Sequence, residues 1–335
     1  MRTEQHNPTA REGRTGGVPA VALWILTAVF TPPPLAAADT APSANHQDID
    51  HQAELPAAAD APANDYFTPP PHGAYPEGEF GAAVKRGEAY FRDTRDTAGQ
   101  YVGNQQNCAN CHLDWGRQPN ASPLWAAWVS YPAYRAKNDK VNTMEERIQG
   151  CFTYSMNAPA SKVGHAPESN DPVLTDLQSY MYWLATGAPT GERLPGRGYP
   201  KLVDPPEPYS PQRGALVYGK HCALCHGDDG AGTRRADGAY QFPPLWGAGA
   251  FNWGAGMHRV NTAAGFIKAN MPLGKPDSLT LQQAWDVAAF INHHERPRDP
   301  RDTGDLAATD KRFHQHQCYY GEQQGKHPLG AGTGN

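Results

Sequence analysis

The chain has 335 residues, 39% of them hydrophobic and 19% charged, and carries a net charge of −5. That mildly acidic balance, with no basic stripe, argues against a nucleic-acid partner. Its 34 glycines and 32 prolines make up about a fifth of the chain, against a usual share of about an eighth, so a loop-rich protein short of ordinary core is expected. Residues 1–38 read as a secretory signal peptide: Arg2, Arg11 and Arg14 are basic, Val18 to Phe30 is apolar apart from Pro19 and Thr27, and Ala36-Ala37-Ala38 offers a cleavage site before Asp39. The apolar run is too short for an ordinary transmembrane helix. After cleavage no stable membrane insertion is expected, and the export signal points to the periplasm. Residues 39–74, rich in Ala, Pro and Asp, read as a flexible tether.

A first domain is expected over 75–190. It opens on a helical pattern, Arg86-Gly87-Glu88-Ala89-Tyr90, and continues through an insertion of about Asp93 to Gln106 to Cys108-Ala-Asn-Cys111-His112. Further on lie Arg147-Ile-Gln-Gly-Cys151 and Ser155-Met156-Asn157, and the domain closes on Leu174 to Leu184. That stretch has apolar residues at the i, i+3 and i+7 spacing of a half-buried helix. Residues 191–211, rich in Pro and Gly, read as a linker. A second domain over 212–297 repeats the plan: Arg213-Gly214 on a helical pattern, Cys222-Ala-Leu-Cys225-His226, then Asn270-Met271-Pro272, then an amphipathic helix from Leu281 to Asn292. Residues 298–335 read as a polar, His-rich tail without periodicity. No β-alternation of useful length occurs, so the fold class is mainly α.

Cys-x-x-Cys-His is the attachment sequence of a c-type haem: two thiols add to the vinyl groups, and the histidine ligates iron from one side. A shared zinc site would need the two Cys pairs about 15–20 residues apart, and here more than a hundred residues separate them. Two covalent haem c groups are therefore expected, held by Cys108, Cys111, His112 and by Cys222, Cys225, His226. Each half resembles a class I cytochrome c domain, two in tandem.

The sixth iron ligand distinguishes the halves. Met271, before a proline and ahead of the closing helix, resembles the distal methionine of class I cytochromes c and implies His/Met ligation of the second haem. Met257 and His258 are the alternatives. The first half has no Met-Pro at the matching place. Cys151 lies about 40 residues after His112 and could supply a thiolate, giving His/Cys ligation. It could equally be a buried thiol or a disulfide partner of Cys318, leaving Met156 or His165 as ligand.

The stretch from Tyr134-Arg135 to Asn157, with Glu-Glu-Arg-Ile-Gln-Gly-Cys-Phe and Ser-Met-Asn, resembles the dihaem thiosulfate dehydrogenase family of periplasmic cytochromes, over about Tyr75 to Pro297. The resemblance implies that Cys151 ligates the substrate-side haem, flanked by Arg147 and Ser155, with Arg135 also matching. It implies oxidation of two thiosulfates to tetrathionate, reversible in principle, with electrons leaving by the second haem to a small soluble c-type cytochrome or an iron–sulfur acceptor. On a helix, Arg147 and Ser155 at i−4 and i+4 share the face of Cys151; Gly150 weakens that helix. Alone, Arg147 in Glu145-Glu146-Arg147 could be a solvated charge, and Lys137 and Lys140 either raise the local potential or are solvated. Two other readings remain: a non-catalytic dihaem electron-transfer cytochrome, and the haem subunit of a multi-protein sulfur-oxidising system. A peroxidase would need an open iron.

Overall fold

The computed structural model describes residues 65–135 and 138–333. The signal peptide, most of the tether and Lys137 lie outside the described residues. The chain forms helices α1 (Gly78–Arg92), α2 (Thr94–Thr97), α3 (Leu113–Gly116), α4 (Leu124–Trp128), α5 (Met144–Tyr154), α6 (Pro172–Leu184), α7 (Pro211–His221), α8 (Ala223–His226), α9 (Val260–Asn270), α10 (Leu281–Asn292) and α11 (Leu306–Phe313). Among the described residues strands are confined to three antiparallel pairs of two or three residues each: β1 (Ala133–Arg135) with β2 (Lys140–Asn142), β3 (Thr233–Arg234) with β4 (Tyr240–Phe242), and β5 (Gln323–Gln324) with β6 (His327–Pro328). The mainly α, loop-rich expectation holds.

Each half is fastened in the same way. Helix α1 packs on α6, and α7 on α10. The close crossing depends on a glycine in the earlier helix: a Cβ on Gly87 would lie 2.0 Å from the Asp176 carbonyl oxygen, and one on Gly214 2.0 Å from that of Asp286. The preceding arginine then reaches over the crossing. Arg86 makes a two-pronged ion pair with Asp176 at 2.7 and 2.9 Å, and Arg213 does the same with Asp286 at 2.8 and 2.9 Å. Both carboxylates are almost wholly buried, so these are charge-assisted bonds to groups that have lost most of their water. The Arg-Gly pairs read from the sequence are thus paired fasteners, one residue for close approach and one for the clamp.

Two apolar clusters follow from this arrangement. One is built around Trp125, Phe152, Leu174, Tyr180 and Leu184, the other around Trp253, Val260, Trp285, Val287 and Tyr319. The segments read as connectors are built into these clusters. Phe67, in the expected tether, packs against Trp125 with ring centroids 5.4 Å apart and the planes tilted by 49°. Leu194 is buried in the first cluster and Tyr209 in the second. The residues read as a polar tail carry α11 and a short hairpin, and bury Cys318, Tyr319, Tyr320 and Leu329 in the second cluster. Aperiodic aromatics spaced among polar residues hid that packing from a helical or strand pattern search.

Polar side chains tie the clusters together. Asn104 donates to the Ser155 carbonyl at 2.7 Å and to that of Ala250 at 3.1 Å. Asn252 donates to the Thr153 carbonyl at 3.0 Å and to Asn157 Oδ1 at 2.9 Å. Both asparagines are buried, and both hold the C-terminal end of α5 against residues of the second half. Among the described residues no helix is long and apolar enough to cross a membrane.

Candidate haem and anion site

The attachment motifs sit at the starts of short helical turns. Cys108 opens a 3₁₀ turn through Asn110, and the backbone N–H of His112 donates to the Cys108 carbonyl at 3.1 Å. Asn107 and Asn110 cap that turn reciprocally. Directly after His112, Asp114 and Trp115 both take left-handed backbone angles, φ 48° and 53°, a conformation that costs about 1–2 kcal/mol per residue. Tyr180 Oη holds the strained turn by donating to the Trp115 carbonyl at 2.8 Å. In the second half, α8 carries Cys225 and His226, and Gly232 N–H donates to the His226 carbonyl at 2.8 Å.

The residues fit covalently held haem. His112 Nδ1 faces the Ser122 carbonyl at 2.6 Å, and His226 Nδ1 faces the Pro243 carbonyl at 3.0 Å. Each bond places the ring proton on Nδ1 and leaves Nε2 with its lone pair, the tautomer an axial ligand needs. Burial drives His112 down to about 4 and lowers His226, so neither imidazole is charged at neutral pH. Burial also pushes the Cys108 and Cys111 thiols up to about 12. The surroundings of both motifs thus disfavour charge, as a porphyrin pocket should.

Helix α5 supplies what faces the first motif. Thr143 caps it: its hydroxyl accepts from Glu146 N–H while Glu146 accepts from Thr143 N–H. Glu146 is engaged further by Lys140 at 2.7 Å. The acidic pair before Arg147 therefore serves the helix end, and Lys140 is spent on Glu146. The helix runs through Gly150, where an added Cβ would meet nothing within 4 Å. Ser155 closes it in helical conformation, its N–H donating to the Cys151 carbonyl at 2.8 Å. Arg147, Cys151 and Ser155 consequently lie along one strip.

The strip faces the motif. Cys151 is close enough to Cys108 and Cys111 to raise both their thiols, and Arg147 close enough to His112 to lower it. The Arg147 guanidinium is raised above its ordinary value, chiefly by Cys151. Arg135, at the end of β1, is lowered chiefly by Arg147, and its Nη1 donates to Tyr131 Oη at 2.5 Å. Two guanidiniums are thus held close together, both half-buried, with Cys151 the largest of the influences that favour charge on Arg147. Like charges held together with little solvent are unfavourable until an anion arrives.

The other candidates for the distal position have the following surroundings. His165 is exposed and bonds the Ala166 carbonyl, and Met156 is packed in the first apolar cluster. No disulfide joins Cys151 to Cys318, and Cys318 is buried in the second cluster. Met271 follows α9 in extended conformation, packed against the second cluster, with Met257 on the same cluster. His258 is engaged by His314 and His316.

Sequence reasoning missed three contributors. Tyr199, from the expected linker, donates to the Cys111 carbonyl at 3.5 Å and couples electrostatically to Arg147 and Cys151. Asn104 and Asn252 brace the active strip from behind. None carries a motif; their roles come from long-range packing alone.

Two haem-attachment motifs, each between an N- and a C-terminal helix fastened by Arg-Gly and Asp, define a tandem c-type cytochrome. Residues 86–190 match the SoxA/TsdA cytochrome c domain family, and residues 210–291 match the family described as cytochrome c oxidase, cbb3-type, subunit III. Cytochrome c domains of these kinds carry covalently bound haem c. The chain is 49% identical to the thiosulfate dehydrogenase of Stutzerimonas stutzeri over 289 residues, covering 85% of this chain and 92% of that one. It is 51% identical to the thiosulfate dehydrogenase of Thiomonas intermedia, covering 74% and 77%. The solved thiosulfate dehydrogenase (TsdBA) of Marichromatium purpuratum superposes with a TM-score of 0.78 at 55% identity, covering 81% of this chain and 59% of that one. The chain therefore spans somewhat under two thirds of the Marichromatium chain. It belongs to the thiosulfate dehydrogenase family.

Proposed function

We propose that this chain is a periplasmic dihaem cytochrome that oxidises two thiosulfates to tetrathionate and delivers two electrons to a small soluble c-type cytochrome or iron–sulfur acceptor, with the reverse reduction open to the same site. The observation that carries this reading is the meeting of Arg147, Arg135 and Cys151 opposite the first haem motif. Family membership supports the substrate, because the relatives at 49% and 51% identity are thiosulfate dehydrogenases. A plain electron carrier has no use for two crowded guanidiniums.

Cys108, Cys111 and His112 would hold the first haem with Cys151 as sixth ligand, and Cys222, Cys225 and His226 the second with Met271. The haems supply two one-electron acceptors, matching a two-electron oxidation. Everything else is done by side chains. Arg147 and Arg135 offset the repulsion between two dianions, which in a partly dry pocket is many times its value in water. Ser155 presents a hydroxyl to a sulfonate oxygen. The Cys151 sulfur is the acceptor on which the linkage can be built: thiosulfate and the Cys151 thiolate form an S–S bond with loss of two electrons. Attack of a second thiosulfate on the outer sulfur then releases tetrathionate and restores the thiolate, with charge balanced at each step.

The test is Cys151→Gly against wild type. Low-temperature EPR should lose its thiolate-ligated signal, and thiosulfate-dependent ferricyanide reduction should fall to background. Full turnover in the variant would overturn the assignment. Met271→Gly should abolish the near-infrared methionine–iron band of the oxidised second haem while leaving the thiolate signal in place.

A further inference from the structure

Away from both motifs, four side chains converge in the second half. His258, just before α9, brings Nε2 to 2.7 Å from His316 Nε2 and to 3.3 Å from His314 Nδ1. The Cys318 sulfur lies 4.0 Å from His314 Nδ1. The four atoms all fall within 4.8 Å of one another, and His258, His314 and Cys318 are buried. The sequence signature is a single upstream histidine followed far later by His-x-His-x-Cys.

The surrounding hydrogen bonds determine which nitrogens face inward. His258 Nδ1 is bonded to the Ala255 carbonyl, which puts the proton there and leaves Nε2 as a lone pair. His314 Nε2 faces the Asp299 carboxylate at 3.0 Å, which does the same for its Nδ1. Two lone pairs therefore point at each other across 3.3 Å, and one proton on His316 Nε2 can serve only one of them. A carboxylate and a carbonyl that fix the tautomers of inward-facing imidazoles are the usual outer partners of histidine ligands. Asp299 is held in turn by Arg301 at 2.6 and 3.0 Å, and the His314 ring is stacked on Tyr320, with centroids 3.9 Å apart. Rings locked this firmly cannot rotate to relieve the crowding.

We infer that His258, His314, His316 and Cys318 form a four-coordinate structural metal site for zinc. Three imidazole nitrogens and one thiolate suit Zn²⁺ in a closed tetrahedral site. With Zn–N near 2.0 Å, tetrahedral nitrogens stand about 3.3 Å apart, the separation seen between His258 and His314. A blue-copper centre would instead take two histidines, a cysteine and a weak axial group. The ion would bind the segment after α11 to the turn preceding α9, joining residues more than 50 positions apart. This site is independent of the substrate reading: with Met271 as the proposed ligand of the second haem, none of its four residues is assigned to a haem.

The experiment uses the full-length holoprotein purified without chelator or added metal. Elemental analysis should return one zinc for every two irons, and zinc K-edge EXAFS should show one sulfur near about 2.3 Å and three nitrogens near about 2.0 Å. Cys318→Ser and His316→Gln should each lower the zinc content at least tenfold with the iron content unchanged. Wild-type protein that contains no zinc and takes up none on dialysis against zinc chloride would overturn the inference, as would zinc retained at full level in both variants or a shell without sulfur. Copper at full occupancy in place of zinc would overturn the choice of ion. If the variants do not accumulate, the wild-type metal content and EXAFS decide alone.

Discussion

Gln118 Nε2 donates to Asn270 Oδ1 at 2.7 Å, so the residue immediately before Met271 is bonded to the loop that follows His112. Asn270 returns the connection by donating to the Asn120 carbonyl at 3.0 Å, and also bonds the Phe266 carbonyl within α9. It is 2% exposed, so water cannot replace these bonds. Asn270→Ala leaves the two carbonyls and the Gln118 amide without their partner, and unsatisfied buried groups cost about 1–3 kcal/mol each. We expect a destabilisation of at least about 2 kcal/mol in urea unfolding, with loss of the methionine–iron band preceding loss of the first haem's signal. A variant as stable as wild type would mean that the two loops do not depend on each other.

Arg147 lowers Arg135, and in the proposed function thiosulfate would offset the repulsion between these two guanidiniums. Replacing Arg147 with Gln removes one positive charge and should lower kcat/KM for thiosulfate by about 100-fold, the scale of losing one donor to a developing anion. Arg147→Lys keeps the charge but loses the planar fork, and should recover only part. The wild-type rate should fall with added salt more steeply than that of Arg147→Gln, because fewer fixed charges remain to be screened. Equal salt slopes would argue against an anion pocket.

The cap of α5 makes the active strip acid-sensitive. Bonds from Lys140, the Thr143 backbone and Asn142 hold the Glu146 carboxyl at about 2, below its ordinary 4.5. A carboxylate with a depressed folded value contributes stability in full above about 4.5, and that contribution is lost as the pH falls toward about 2. Glu146→Gln should therefore be less stable than wild type at pH 6, and the gap should close progressively between pH 4.5 and 2. Paired unfolding curves over that range measure it; a gap independent of pH would place the effect outside the carboxylate.

The glycine crossings give a paired test. Gly87→Ala and Gly214→Ala each force a Cβ against backbone, and overpacking of this kind costs about 1–3 kcal/mol or more. Each should lower the stability and haem content of its own half first, read by haem stoichiometry and urea unfolding. Gly219→Ala, at an exposed position of α7 with nothing within 4 Å of the added Cβ, should stabilise by about 0.5–1 kcal/mol.

Much of this protein can be read from short-range pattern. The Cys-x-x-Cys-His strings, the Arg-Gly openings and the closing helices are local, and local signals carry their own geometry. Helical spacing puts Arg147, Cys151 and Ser155 on one face, but their role as a site is offered by the family resemblance and not by the spacing. What is not legible comes from distance along the chain. Asn104 and Asn252 act as braces only because the fold brings Ala250 and Thr153 to them. Tyr199 sits in a stretch whose prolines and glycines suggest a spacer, yet it packs beside the first motif. The residues after Pro297 look like a tail because their buried groups, Tyr319, Tyr320 and Leu329, follow no period, and their partners lie in α10 and around Trp253.

The braces from Asn104 and Asn252 have a consequence for how the two halves stay together. The covalent continuity of the peptide between Gly191 and Ser210 is not all that holds them, since α5 is also bonded directly to the backbone and side chain of Asn252 in the second half. A protease that nicked that connection should yield two fragments that still migrate as a single particle. The halves behave as one body joined through a polar seam, and the covalent thread between them is closer to an assembly aid than to a hinge.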